Sequence, residues 1–353
     1  MSRTGIVRDN RYMEHFMGDY HPESPERLRA IYSMLDEPGM RGSLTEIPSR
    51  LCTEEEILYI HTPAYVSLIR STAGRSVRLD PDTSTSPQSW EVARLAVGGF
   101  LEAVDRVSAR DVDTAFALVR PPGHHAEADR AMGFCIFNNI AIGAVHAMKR
   151  LGHSRILIVD WDIHHGNATM HSFYDDPRVL YFSIHQYPHY PGTGRLEEVG
   201  SGEGVGTTIN VPLGPGPGDA EYTAIFRDIL APVARQFAPD MIMVSAGFDT
   251  YHLDPLGGMQ VTAEGYARMT KILLELGEDI CVGRVIFTLE GGYHLSGVCE
   301  SVRAVLQVMR GVHPTVSEIH ALAEASAPST ERSTTILRDF FKTYWPALEQ
   351  GRG

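Results

Sequence analysis

Residues 155–167 read RILIVDWDIHHGN, and the rest of the chain can be placed around them. Ile156, Leu157, Ile158 and Val159 form a short apolar run without polar alternation. That is the pattern of a strand covered on both faces. The run leads straight into Asp160, Asp162, His164 and His165. Side chains two apart on an extended chain point the same way, so Asp160, Asp162 and His164 can share one side. Asp162 and His164 then supply half of a tetrahedral zinc site, lacking a third ligand and a water. The alternative is an acidic turn that caps the next helix.

Working outward, apolar strands alternate with helices. Strands are expected at 5–9, 113–119, 179–184, 206–211, 240–245 and 285–289. Helices are expected at 24–35 with Ser24 as N-cap, from Thr53, at 64–71, 90–107, 138–151, 168–174, 219–237 with Asp219 as N-cap, 262–276 and 296–309. This alternation predicts an α/β fold, a single-domain doubly wound and mostly parallel sheet with helices on both faces. Residues 1–312 read as one domain. The tail 313–353 carries two weaker helices, the last at 335–348, and is expected to pack on the outside of that domain.

Four of the strands end in chemically capable clusters: His124 and His125 in RPPGHHA, Asp162 and His164, Asp249 in SAGFD, and Tyr293 in LEGGY. Ligands of open α/β sheets bind at the carboxyl ends of strands, so the clusters point to one site. Asp249 fits the missing ligand. Asp254, beside Pro255 in a loop, competes with it. Asp-His-Asp plus water is an open catalytic arrangement, able to polarise a carbonyl and activate water. His124 and His125 can serve as base and acid. Asp160 and Asn167 are the nearest acceptors for their second ring nitrogens. Tyr293, behind Gly291 and Gly292, can donate to an oxyanion.

The totals bound the class. A chain of 353 residues with net charge −13 argues against a nucleic-acid surface, which needs a basic footprint. Acidity suits a cationic substrate but is also ordinary for soluble proteins. The four cysteines, Cys52, Cys135, Cys281 and Cys299, include no CxxC pair. That disfavours a disulfide framework or a Cys-rich zinc site and favours a reducing compartment. With no apolar leader and no run of membrane-spanning length, a cytoplasmic protein without membrane partners is expected.

The segments HPESPERL, RPPGHHA, GFCIFNN, VDWDIHHGN, YPGTG, SAGFD with DPLGG, and LEGGY occur in this order over residues 5–312. Together they resemble the zinc-dependent histone deacetylase family, including bacterial histone deacetylase-like amidohydrolases and acetylpolyamine amidohydrolases. The wording is most similar to the class II branch. The resemblance implies the arginase/deacetylase-like fold and one zinc ion held by Asp162, His164 and Asp249. It implies His125 as general base, His124 as a more electrostatic partner oriented by Asp160, and Tyr293 as oxyanion donor. Asn167 stands where many relatives carry Asp, so His125 should be less basic here. Gly133, Phe134 and Tyr190 would line a narrow channel for an acyl-lysine stem, with Leu256 at its mouth. Structural potassium would lie at Asp160, Asp162, His164 and Ser183, and again at Phe173, Asp176 and Val179. Leu256 occupies the position where polyamine-selective relatives carry Glu. Asp80 or Asp82 would contact substrate at the rim. The expected activity is zinc-dependent amide deacylation of an acylated lysine peptide. A small acylated amine such as an acetylpolyamine is the runner-up, and a non-catalytic acyl-lysine binding module a minor alternative. The substrate, acyl length, zinc versus ferrous iron and any homo-oligomer are left open by the sequence.

Overall fold

The computed structural model describes residues 3–312 and 328–349. Eight strands form one sheet: β1 (Thr4–Val7), β2 (Thr45–Ile47), β3 (Thr114–Ala117), β4 (Ile156–Asp160), β5 (Val179–Gln186), β6 (Thr208–Leu213), β7 (Met241–Ala246) and β8 (Val285–Leu289). Their order is β2-β1-β3-β8-β7-β4-β5-β6, and every pairing between them is parallel. The central strands are buried along their whole length, because helices cover both faces of a parallel sheet. The expected doubly wound α/β fold is the one observed.

The strand order explains why the clusters meet. β3, β8, β7 and β4 are consecutive neighbours, and they are the four strands followed by His124/His125, Tyr293, Asp249 and Asp162/His164. Parallel pairing sets all four carboxyl ends on one edge of the sheet. Register fixes the depth: Asp160 of β4 pairs with Ser245 of β7 and Ser183 of β5.

Local capping accounts for several helix starts. Thr53 and Glu56 form a reciprocal capping box, which satisfies two of the free N–H groups at the helix end. Asn138 accepts from the Ala141 N–H at the head of helix Asn139–Leu151. Two expected caps are corrected. The helix Glu26–Leu35 starts after Pro25, and the Ser24 side chain makes no cap; its carbonyl accepts from Arg27 instead. Asp219 is the first helical residue rather than the cap, and its carboxylate accepts from the N–H and hydroxyl of Thr262, 43 positions on at the head of the helix Ala263–Cys281. The expected helix 219–237 is interrupted by a π-turn at Phe226–Leu230. The strand β2 was not expected.

The stretch 313–327, where the first tail helix is expected, lies outside the described residues. Beyond it, helix Pro328–Phe341 and the 3-10 turn Pro346–Leu348 follow. Phe341, Trp345 and Leu348 are buried in the main core, and the Trp345 indole donates to the Gly206 carbonyl at 2.8 Å. No helix among the described residues is long and apolar enough to cross a membrane.

Candidate active site

A cavity of about 250 Å³ opens at the carboxyl edge of β3, β8, β7 and β4. His124, His125, His164, Tyr190, Tyr293 and Leu256 line it, together with Gly133 and Phe134. At its floor, one ligand atom each from Asp162, His164 and Asp249 lies within 4.8 Å of the other two. The His164 Nδ1 sits 3.0 Å from Asp162 Oδ1 and 3.1 Å from Asp249 Oδ2. All three residues are buried. Asp249 Oδ2 has no hydrogen-bond donor, while Oδ1 accepts from the Ile163 N–H at 2.8 Å. Burial and the neighbouring Asp162 charge push the Asp249 carboxyl up to about 7. Two buried carboxylates and an imidazole nitrogen facing one point form a donor set that fits a divalent metal.

Asp254, the competitor for third ligand, is placed elsewhere. Its Oδ2 accepts the Tyr293 and His294 N–H groups at 2.6 and 3.1 Å, and its Oδ1 accepts Leu256 N–H at 3.0 Å. It braces the turn that carries Tyr293. Burial raises the Tyr293 phenol well above its ordinary range, so it stays protonated as a donor. Its ring meets Phe134 edge-on at 5.9 Å, and the Arg27 guanidinium lies 5.0 Å from the ring centre.

The tandem histidines have separate partners. His124 Nδ1 lies 3.0 Å from Asp160 Oδ2, and His125 Nδ1 lies 2.7 Å from Asn167 Oδ1. Burial works against a charge on both rings. For His124 the carboxylates of Asp160, Asp162 and Glu290 outweigh it and hold the ring up at about 10. For His125, burial and then repulsion from His124 and His164 push the ring well below its ordinary value. The pair therefore offers one charged and one neutral imidazole, as an acid/base site needs. Glu290 fixes the backbone beneath them: its Oε2 accepts the Gly123 and His124 N–H groups at 2.7 and 3.2 Å.

Two glycines are required by close approach. At Gly133 φ is +57°, and a Cβ would fall on the His125 ring. At Gly291 a Cβ would fall on the Asp249 carboxylate. Phe134 itself adopts φ +68°, a left-handed conformation that bulky residues avoid without support.

At the rim, Asp82 rather than Asp80 reaches the cavity. Asp80 Oδ1 accepts from the Asp82 and Thr83 N–H groups and so shapes the loop, while Asp82 Oδ1 accepts from the Gly133 N–H at 3.1 Å. Of the residues expected around potassium, Ser183 lies opposite Asp160 in the sheet, and its hydroxyl meets His185 Nδ1 at 2.9 Å. Phe173, Asp176 and Val179 follow in successive turns, with the Asp176 N–H donating to the Phe173 carbonyl and the Val179 N–H to the Asp176 carbonyl.

Sequence reasoning missed His189, which stacks on His164 at 5.1 Å and lines the cavity. It also missed the buried ion network under HPESPERL. There Glu23 pairs with Arg120 and Arg27, and Arg27 donates to the Gly292 and Glu290 carbonyls at 2.6 and 2.5 Å. Charged residues at the start of a helix gave no sign of a contact more than 260 positions away.

The histone deacetylase domain family matches residues 21–309. The histone deacetylase 5 of Arabidopsis thaliana is 40% identical over 366 aligned residues, covering 98% of this chain and 54% of that protein. The chain thus spans about half the length of that relative. A probable deacetylase of Archaeoglobus fulgidus is 40% identical over 83% of this chain and 82% of its own. The crystal structure of the HDA15 HD domain is similar with a TM-score of 0.89 at 37% identity, covering 99% of this chain and 97% of that one.

Proposed function

The chain belongs to the histone deacetylase family, and from that premise we propose that it is a zinc-dependent deacetylase acting on an acylated lysine side chain. The observation that carries the proposal is the buried convergence of Asp162, His164 and Asp249 beneath a cavity lined by His124, His125 and Tyr293. Asp162, His164 and Asp249 would hold the ion. When bound, the ion supplies Lewis-acid polarisation of the amide carbonyl and activation of a water.

The other steps belong to side chains. Phe134 and Tyr190 flank the cavity and would exclude water from the aliphatic stem. His125, kept neutral, takes a proton from the attacking water as general base and returns it to the leaving amine. His124, kept charged against Asp160, lends positive potential to the developing oxyanion. Tyr293 donates its hydroxyl proton in a hydrogen bond to that oxyanion. Asp82 is positioned at the rim to accept a substrate main-chain N–H. The products are a free amine and a carboxylate.

The structural potassium positions implied by the resemblance are included in the proposal. So is the reading of the described tail, with Phe341, Trp345 and Leu348 in the main core, as an extension of the 1–312 catalytic unit. Leu256 at the cavity favours lysine over polyamine, because an apolar gate offers no partner to a second ammonium. The test is hydrolysis of an acetyl-lysine peptide beside an acetylated polyamine by purified protein. Preference for the peptide supports the proposal. Preference for the polyamine transfers it to small amines, and zinc binding without turnover of either leaves a binding module.

A further inference from the structure

Asn167 stands between His125 and a buried carboxylate, so a negative charge lies one residue away from the His125 ring in space. Its Nδ2 donates to Glu127 Oε1 at 2.5 Å while its Oδ1 faces His125 Nδ1 at 2.7 Å. We propose that Glu127 is the positioning residue that fixes the orientation of Asn167 and, through it, the tautomer of His125. The inference rests on the reading of His125 as the base.

The argument is one of donors and acceptors. An Asn amide has nearly the same shape in its two flipped orientations, but one presents an acceptor to His125 and the other a donor. With the donor inward, His125 Nδ1 would have to accept, and Nε2 would carry the proton and could not act as a base. An ionised carboxylate can only accept. Glu127 is 7% exposed, so little bulk water competes for its oxygen, and it draws the NH2 of Asn167 towards itself. Oδ1 is thereby turned to His125, Nδ1 holds the proton, and Nε2 is free for the cavity. The same Oε1 receives His171 Nδ1 at 2.9 Å, and the exposed Arg130 lies at 3.8 Å. Against the push of burial, these partners hold the Glu127 carboxyl below its usual range. The chain His125–Asn167–Glu127–His171 therefore runs from the cavity to the half-exposed surface. Outer partners of this kind are worth about 10- to 100-fold in activity.

The experiment compares Glu127→Gln, Asn167→Asp and the double substitution in the zinc-loaded protein. Glu127→Gln should lower kcat about 10-fold with KM little changed. Asn167→Asp alone should also lose activity, because two buried carboxylates would abut. The double substitution moves the charge next to His125 and restores a donor–acceptor chain, so it should recover most of the lost kcat. A purely structural role for Glu127 does not give that recovery. Imidazole 15N spectra of His125 provide a second reading, with the Nδ1–H tautomer in the wild type and a mixture in Glu127→Ala. Unchanged kcat and tautomer in the single variants would overturn the proposal, as would a double variant no better than the worse single. If the wild type hydrolyses no acyl amide, the proposed function fails, and the 15N spectra still decide the link between Glu127 and His125.

Discussion

Asp254 holds Tyr293 by its backbone: the Asp254 Oδ2 accepts the Tyr293 N–H at 2.6 Å, and the same oxygen accepts the next N–H at 3.1 Å. One carboxylate thus sets the turn on which Tyr293 stands, while its other oxygen holds Leu256 N–H at the cavity mouth. Asp254→Ala is expected to lower kcat/KM about 10- to 100-fold, the usual effect of removing such a support, with zinc content unchanged. Steady-state kinetics beside metal analysis checks this. Loss of zinc in the variant would mean that Asp254 belongs to the metal site after all.

Tyr293→Phe removes only a hydroxyl from a half-buried ring. Loss of one oxyanion donor costs about 100- to 1000-fold in kcat. The variant should keep its thermal midpoint and bind zinc normally, since the ring still packs on Phe134. A kcat within a few-fold of wild type would remove Tyr293 from the chemistry.

Gly133→Ala should be damaging out of proportion to its size. The added Cβ meets the His125 ring, and φ is +57°. Strain of this kind costs about 1–3 kcal/mol, and relief requires His125 to move. A lowered thermal midpoint together with strongly reduced kcat is expected. Wild-type behaviour in both would show that the turn 132–135 has room the structure does not display.

Much of this was legible because the buried parallel strands are written in mostly apolar runs without polar alternation. β8 begins and ends where the run Val285–Leu289 does, and the polar residues after each run mark the catalytic edge. β2 was not legible: it has three residues, two of them exposed, and pairs only with β1. The metal donor set could be assembled from strand ends, with Asp249 preferred to Asp254 because Asp254 lies beside Pro255 in a loop, but that Asp254 braces the turn of Tyr293 showed only in the turn geometry. Glu127 was overlooked although it directly follows RPPGHHA, because its contact with Asn167 spans 40 positions and is made by side chains alone. His189 lies in a loop between prolines, with no periodicity to announce which way it faces.

Stability should fall on mild acidification. Burial pushes His15 down to about 3, and His61 and His185 each to about 4, from an ordinary 6.5. Between those values the unfolded chain binds protons that the folded chain does not. The folded state therefore loses stability as pH drops below about 6.5, by about 1.4 kcal/mol per pH unit for each group inside its window. Glu23, held by Arg120 and Arg27 at about 2 against the push of burial, adds its loss only below its ordinary 4.5. The buried carboxyls of Asp249 and Glu290, each pushed up to about 7, oppose this over the same range, but the three histidines, joined by His125 and His165, which burial also pushes down, outnumber them, so thermal midpoints should decline from pH 7 to pH 5. A flat profile over that range would contradict the buried neutral histidines.

One divalent ion at Asp162, His164 and Asp249 is expected to be needed for amide hydrolysis. The direct measurement is acetate release from an acetyl-lysine peptide as zinc is titrated into chelator-stripped protein, beside Asp249→Asn. The account predicts activity that rises with zinc and saturates at one equivalent in the wild type, and neither tight binding nor turnover in the variant. Full turnover by stripped protein, or a variant that binds zinc and hydrolyses the peptide like the wild type, would contradict it.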